Sequence, residues 1–196
     1  MSGLDALPKD ILLWRSMLTW IGGVGIIGMA IAVLPFLRVG GMRLFKTESS
    51  DWSDKAMPRA QSLMAMIIYC YLLLSAICCL AFWLAGMDIF NAVNHAMATV
   101  STGGFSTSDS SFAQFDGLLI HWVAIIFMLA GAFPFVLFVR LLVNKKLVIF
   151  NDTQVQGLLW IVALTTVVLT FHLIITDQMD FIQAFTMACF NIVSVI

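Results

Sequence analysis

The run Thr99-Val100-Ser101-Thr102-Gly103-Gly104-Phe105-Ser106-Thr107 gathers hydroxyls and two adjacent glycines where a short apolar stretch ends between two longer ones. In hydrocarbon its backbone carbonyls would lack partners, so such a loop must be buried in protein or line a watery path. Rings of backbone carbonyls in that setting replace the hydration shell of a cation, which makes an ion-selectivity filter the first hypothesis. Gly103 and Gly104 permit backbone angles that residues with a Cβ resist, and a row of carbonyls facing one way demands such angles. Thr102 would add a hydroxyl at the inner mouth, and Phe105 would pack behind the loop to hold its diameter. Ser-Thr-Gly-Gly is also ordinary turn chemistry, so the case rests on the elements around it.

Those elements belong in a membrane. Hydrophobic residues make up 61% of the 196 and charged residues 11%, far below the roughly 25% charged content of soluble domains. A bilayer core of about 30 Å needs roughly 20 apolar residues to cross it. Four runs satisfy this: Ile11–Leu37, Ser62–Leu84, Leu118–Val143 and Leu158–Ile175. The first carries Gly22, Gly23, Gly25 and Gly28, small residues that let another helix come close but also permit bending. The third contains Gly131 and Pro134, which predict a kink near its middle. The fold class is therefore all-α and membrane-embedded.

Two further apolar segments are too short to span. Ile89–Val100 follows Asp88, a good N-cap, and would rise only about 18 Å as a helix. Phe181–Ile196 follows Asp180 in the same way. Both fit re-entrant half-helices better than complete spans. They also resemble each other: Asp88-Ile-Phe-Asn-Ala92-Val-Asn-His-Ala96 aligns with Asp180-Phe-Ile-Gln-Ala184-Phe-Thr-Met-Ala188, keeping the Asp, both Ala and an amide. The order span, half-helix, loop, span is thus repeated. A half-helix entering from outside aims the negative end of its dipole at mid-membrane, where a cation is favoured.

Basic residues set the orientation. Arg38, Arg43, Lys46, Lys55 and Arg59 lie between the first two runs, and Arg140, Lys145 and Lys146 end the third. The loops with Asp109, Asp116, Asp177 and Asp180 hold none, so the basic face is cytoplasmic by the positive-inside rule, with Lys9 and Arg15 as exceptions. Trp14, Trp83, Trp122 and Trp160 near the run ends suit interfacial positions. The connection Thr47–Pro58 reads as a solvated loop capping the next helix, with docking of a cytosolic subunit as the alternative.

Enzyme chemistry finds little purchase. His95, His121 and His172 are dispersed without a second ligand at metal spacing, and His95 reads as a satisfied polar residue. Cys70, Cys78, Cys79 and Cys189 sit inside apolar stretches as inert thiols. No nucleophile elbow, phosphate loop or dinucleotide fingerprint occurs.

Three motifs carry a resemblance: Trp20-Ile-Gly-Gly-Val-Gly-Ile26; Leu34-Pro-Phe-Leu-Arg-Val-Gly-Gly41 leading to Glu48-Ser-Ser-Asp-Trp-Ser-Asp-Lys55; and Ala98-Thr-Val-Ser-Thr-Gly-Gly-Phe-Ser106. Together they resemble the potassium-translocating subunit of the Trk/Ktr/HKT superfamily, of the bacterial TrkH type, over nearly the whole chain from Ile11. The resemblance implies span–pore-helix–span repeats of a potassium-channel-like transporter, each repeat donating a filter strand with a central glycine. On that pattern residues 11–46 are the second span of a first repeat with its cytoplasmic end, and 47–57 a cytoplasmic loop. Residues 58–150 are a complete second repeat, and 151–196 the first span and pore helix of a third, so the set is incomplete. Gly104 takes the central filter position, with Ser101, Thr102, Gly103 and Phe105 beside it.

One filter strand cannot enclose an ion, so the chain reads as part of a longer protein. The implied function is potassium transport as a pore-forming subunit, with K+ as transported substrate, no cofactor and no enzyme activity. The implied setting is a multi-pass position in a bacterial inner membrane, in contact with lipid, as a homodimer with a cytosolic nucleotide-binding subunit of the TrkA kind and no nucleic acid. A non-conducting truncated membrane protein and a membrane-embedded enzyme or redox subunit are the alternatives.

Overall fold

The computed structural model describes residues 3–37, 56–115, 117–144 and 149–195, and among these no strand occurs. Expectations resting on residues 38–55, 116, 145–148 and 196, among them the basic cluster Arg38, Arg43, Lys46 and Lys55 and the pair Lys145 and Lys146, lie outside the described residues. Among the described residues the α-helices are, in order, α1 (Lys9–Leu37), α2 (Ala56–Leu84), α3 (Ile89–Val100), α4 (Leu118–Ala132), α5 (Phe135–Asn144), α6 (Thr153–Asp177) and α7 (Phe181–Val195). Short 3₁₀ turns occupy Leu4–Ala6, Ser111–Gln114 and Ile149–Asn151.

Among the described residues three helical stretches are long and apolar enough to cross a membrane, Lys9–Met29, Ser62–Leu84 and Thr153–Thr176, with the bent pair Leu118–Ala132 and Phe135–Leu142 a fourth if it counts as one span. They bury little of themselves within the chain. On α6, Trp160 is 77% exposed, Leu164 68% and Ile175 78%. An apolar helix left bare on this scale needs hydrocarbon or further apolar protein surface against it.

The expected third span is not one helix. α4 and α5 meet at a bend of 93°, far sharper than a kink. Pro134 has no N–H to give to Ala130, and its ring pushes Phe133 into the extended region (φ −76°, ψ 148°), so α4 stops there. At 15 residues α4 rises only about 22 Å. α5 then swings onto α2, where Phe135 and Val139 join the core around Tyr71, the two rings 5.5 Å apart.

The core forms where α2 meets the short helix that follows it. Ile67, Tyr71, Cys78 and Phe82 recur at helical spacing along one face of α2 and are almost fully buried. Against them α3 presents Ala92 and Ala96, whose small side chains let the two helices approach closely. α7 does the same: Ala184 and Ala188 are fully buried, and α7 packs most extensively on α6, the helix before it. The alanines shared by the two sequence segments are therefore the packing face of each short helix.

Candidate functional site

The site is built at the end of α3. Asp88 starts this helix as its N-cap, its carboxylate accepting the Asn91 N–H at 3.3 Å while the Asn91 side-chain amide donates back to it. The helix ends at Val100, in a Schellman motif: Thr102 N–H donates to Thr99 carbonyl at 3.2 Å and Gly103 N–H to Ala98 carbonyl at 2.8 Å. The left-handed position such a motif requires is filled by Thr102 (φ 51°) and not by a glycine. A β-branched residue there is strained by about 1–3 kcal/mol, so the surroundings must hold it.

The stretch from Ser101 is thus not extended from its start: Ser101 is helical (φ −79°, ψ −3°) and Thr102 turns the chain. Open backbone begins at Gly103, and Gly104 takes φ 67°. The chain then runs back along α3. Ser106 Oγ lies 3.2 Å from His95 Nε2, and Thr107 donates to the Asn91 side-chain oxygen. His95 is 1% exposed, with Phe112 and Phe115 edge-on to its ring. Its Nδ1 lies 2.9 Å from the Asn91 carbonyl, which can only accept, so Nδ1 carries the proton and, in the neutral ring, Nε2 accepts from Ser106. This satisfied histidine pins the returning strand to the helix.

Of the five predicted site residues, Thr102, Gly104 and Phe105 line a cavity of about 380 Å³. The other walls include Ala98 and Thr99 of α3, Ser106 and Phe112 after the loop, Met128 of α4, and Phe190 and Val193 of α7. The C-terminal end of α3 therefore turns the negative pole of its dipole toward this space, its Met97, Ala98 and Thr99 carbonyls being hydrogen-bonded within the turn. Phe105 is 41% exposed, and the Arg15 guanidinium stands 4.8 Å from the centroid of its ring.

Ser101 and Gly103 face α1. A Cβ at Gly103 would collide with the Thr19 methyl group, and a Cβ at Gly23 would come within 3.1 Å of Ser101 Cβ and 3.3 Å of its Cα. Ser101 Oγ donates to the Met97 carbonyl at 2.7 Å. Tyr71 hydroxyl donates to the Trp20 carbonyl at 2.9 Å, and Trp20 Nε1 to Ser75 Oγ at 2.9 Å, which ties α1 to α2 beside the loop. On the opposite side Gly131 of α4 is the close approach, since a Cβ there would lie 3.1 Å from the Val100 carbonyl oxygen and 3.3 Å from that of Thr99.

The residues after the loop hold the start of α1. The Asp109 carboxylate accepts the backbone N–H of Leu4 at 2.9 Å and of Gly3 at 2.8 Å. These amides, Leu4 first and then Gly3, hold its carboxyl below the ordinary value of 3.8. Among the described residues no three His, Cys, Asp or Glu side chains gather into a metal-binding group.

Apolar helices with bare outer faces, packed around a short helix and its glycine-bearing return loop, define a multi-pass helical membrane protein. The chain belongs to the TrkH family of cation transport proteins, whose family model matches residues 1–196. It is 43% identical over 194 residues to the Trk system potassium uptake protein TrkI of Halomonas elongata, covering 98% of this chain and 39% of that one. To the Trk system potassium uptake protein TrkH of Escherichia coli K12 it is 38% identical over 198 residues, covering 95% of this chain and 41% of the relative. It superposes on the crystal structure of the potassium transporter TrkH from Vibrio parahaemolyticus with a TM-score of 0.82 at 34% identity, covering 98% of this chain and 39% of that one. The chain therefore spans about two fifths of the length of these relatives.

Proposed function

We propose that this chain contributes one filter strand and its supporting helices to a potassium-selective pathway, as part of the pore-forming subunit of a Trk-type uptake system. Ser101, Thr102, Gly103, Gly104 and Phe105 form the strand, and K+ is the transported substrate, with no cofactor and no catalysed reaction. In this reading residues 11–46 close a first repeat, 47–57 connect it on the cytoplasmic side, 58–150 are a complete second repeat and 151–196 open a third. The subunit lies in a bacterial inner membrane, pairs with a second copy of itself, and takes a cytosolic nucleotide-binding partner of the TrkA kind.

The observation that carries this is the shared cavity. The C-terminal end of α3, with Thr102, Gly104 and Phe105, lines one space together with residues of α4 and α7. The end of α3 turns the negative pole of its dipole toward this space, which favours a cation over an anion. Hydroxyl and backbone oxygens are the hard ligands that an alkali cation takes in place of water.

The test uses the complete reading frame that carries these residues, in a strain lacking its own potassium uptake. Gly104 has a positive φ, yet a Cβ there meets nothing within 4 Å. Aspartate tolerates the left-handed region better than most residues, so Gly104→Asp should reach the membrane while placing a carboxylate beside the cavity. Growth on limiting K+ should fail, and the ratio of Rb+ to Na+ uptake should drop at equal membrane abundance. Wild-type selectivity in a well-expressed Gly104→Asp protein would make this loop a turn near the pathway and not its filter.

A further inference from the structure

We infer that Arg15, Thr19 and Gly23 form a template stripe on α1 that positions the loop, with Arg15 acting as a specificity-setting positioning residue through the Phe105 ring. The three residues are spaced four apart, which puts them on one face of the helix. Each meets a different loop residue, and the loop residues are spaced two apart. Gly23 sits against Ser101, Thr19 against Gly103, and Arg15 over Phe105.

Residues four apart on α1 are about 6 Å apart along its axis. The turn at Thr102 and the open backbone from Gly103 bring alternate loop residues against them in the antiparallel sense. The residue types fit each station. Gly23 lets the backbone of Ser101 come close, the Thr19 methyl fills the space left by the missing Cβ of Gly103, and the Arg15 guanidinium covers an aromatic face at 4.8 Å. Thr19 is itself oriented by its hydroxyl, which donates to the Arg15 carbonyl at 3.0 Å.

The Arg15 end matters most for specificity. Ser101 is held by its own hydroxyl, and Gly103 by its N–H to Ala98. Phe105 is half-exposed at the cavity, so the guanidinium over its ring is what sets how far the end of the strand leans into that space. Removing the contact frees the strand on the cavity side, and discrimination between cations of different size falls. A second consequence separates charge from position. Neutralising Arg15 removes a repulsive charge and shifts apparent affinity for all monovalent cations together, whereas losing the stacking changes the ratio between them.

This inference rests on the filter reading, and the experiment separates the two. In the complete protein, Rb+ and Na+ uptake are measured for Arg15→Gln, Arg15→Lys, Phe105→Leu, the Arg15→Gln/Phe105→Leu double variant and Gly104→Asp, each normalised to membrane abundance. Arg15→Gln and Phe105→Leu should each raise the Na+:Rb+ ratio by roughly three- to ten-fold, as expected for loss of a cation–π contact. The double variant should be no worse than either, because both remove one interaction. Arg15→Lys keeps a cation over the ring and should hold the ratio within about twofold of wild type. A normal ratio in Arg15→Gln, or effects that multiply in the double variant, would overturn the positioning role. If Gly104→Asp alters the ratio and Arg15→Gln does not, only this inference fails. If neither alters it, the filter reading fails with it.

Discussion

Replacing Gly103 by alanine separates close packing from backbone freedom as the reason for the two adjacent glycines. Gly103 has no positive φ, so a side chain there meets no backbone penalty, but its Cβ would occupy the place of the Thr19 methyl. Forcing an extra methyl into a packed site costs about 1–3 kcal/mol. Thr19→Ser removes the obstructing methyl and keeps the hydroxyl that donates to the Arg15 carbonyl. Alone it should cost only about 1 kcal/mol, the value of one buried methyl group. In the double variant the two changes compensate, leaving a coupling of roughly 1–2 kcal/mol. Gly104→Ala provides the control. Its Cβ meets nothing within 4 Å, so its cost is the left-handed backbone alone, about 1–2 kcal/mol, which Thr19→Ser cannot relieve. Denaturation midpoints of the complete protein in detergent would read all five variants. The reasoning fails if Thr19→Ser does not recover most of the loss in Gly103→Ala, or if it recovers Gly104→Ala to the same degree.

Other consequences are more local. Gly131→Ala asks the Val100 and Thr99 carbonyls to give only a few tenths of an ångström, and alanine favours the helix by up to about 1 kcal/mol; Gly131→Val adds bulk the site cannot take and should lose about 1–3 kcal/mol, measured by the same midpoints. Tyr71→Phe removes the hydroxyl donor to Trp20 and should cost about 1 kcal/mol by that assay; an unchanged midpoint would mean the bond is energetically idle. Asp109 is held below its ordinary value of 3.8 by the Leu4 and Gly3 amides, so its stabilisation is complete above that pH and is lost as pH falls through the depressed value. The protection of the Leu4 amide, its exchange relative to the intrinsic rate of a free amide at the same pH, should therefore hold at neutral pH and fall only below about 3.8, whereas Asp109→Ala should lack that protection throughout; protection independent of pH and of the substitution would contradict this.

The parts that could be read from sequence are those governed by local rules. Asp88 and the length of the apolar stretch after it specified Ile89–Val100, and the shared alanines marked the packing faces of α3 and α7. Gly131 and Pro134 announced a bend, but its 93° angle depends on where Phe135 and Val139 can be buried, which no local pattern contains. The loop was legible as a glycine-rich interruption, whereas the turn at Thr102 was not, because threonine is a poor choice for the left-handed region and two glycines stood next to it. Arg15 counted only as an exception to the charge pattern and Asp109 only as a carboxylate in a loop without basic residues. Their roles are contacts across 90 and 105 positions of sequence, Arg15 with Phe105 and Asp109 with Leu4, and pattern reading does not reach that far.

The central claim is that residues 101–105 coordinate the transported ion. Anomalous diffraction from crystals of the complete protein grown in Rb+ would locate that ion directly. The account predicts a rubidium peak against the backbone oxygens of this strand, displaced by excess K+ and absent in Gly104→Asp. A rubidium site elsewhere along the pathway, with no density at residues 101–105 in the wild-type protein, would contradict it.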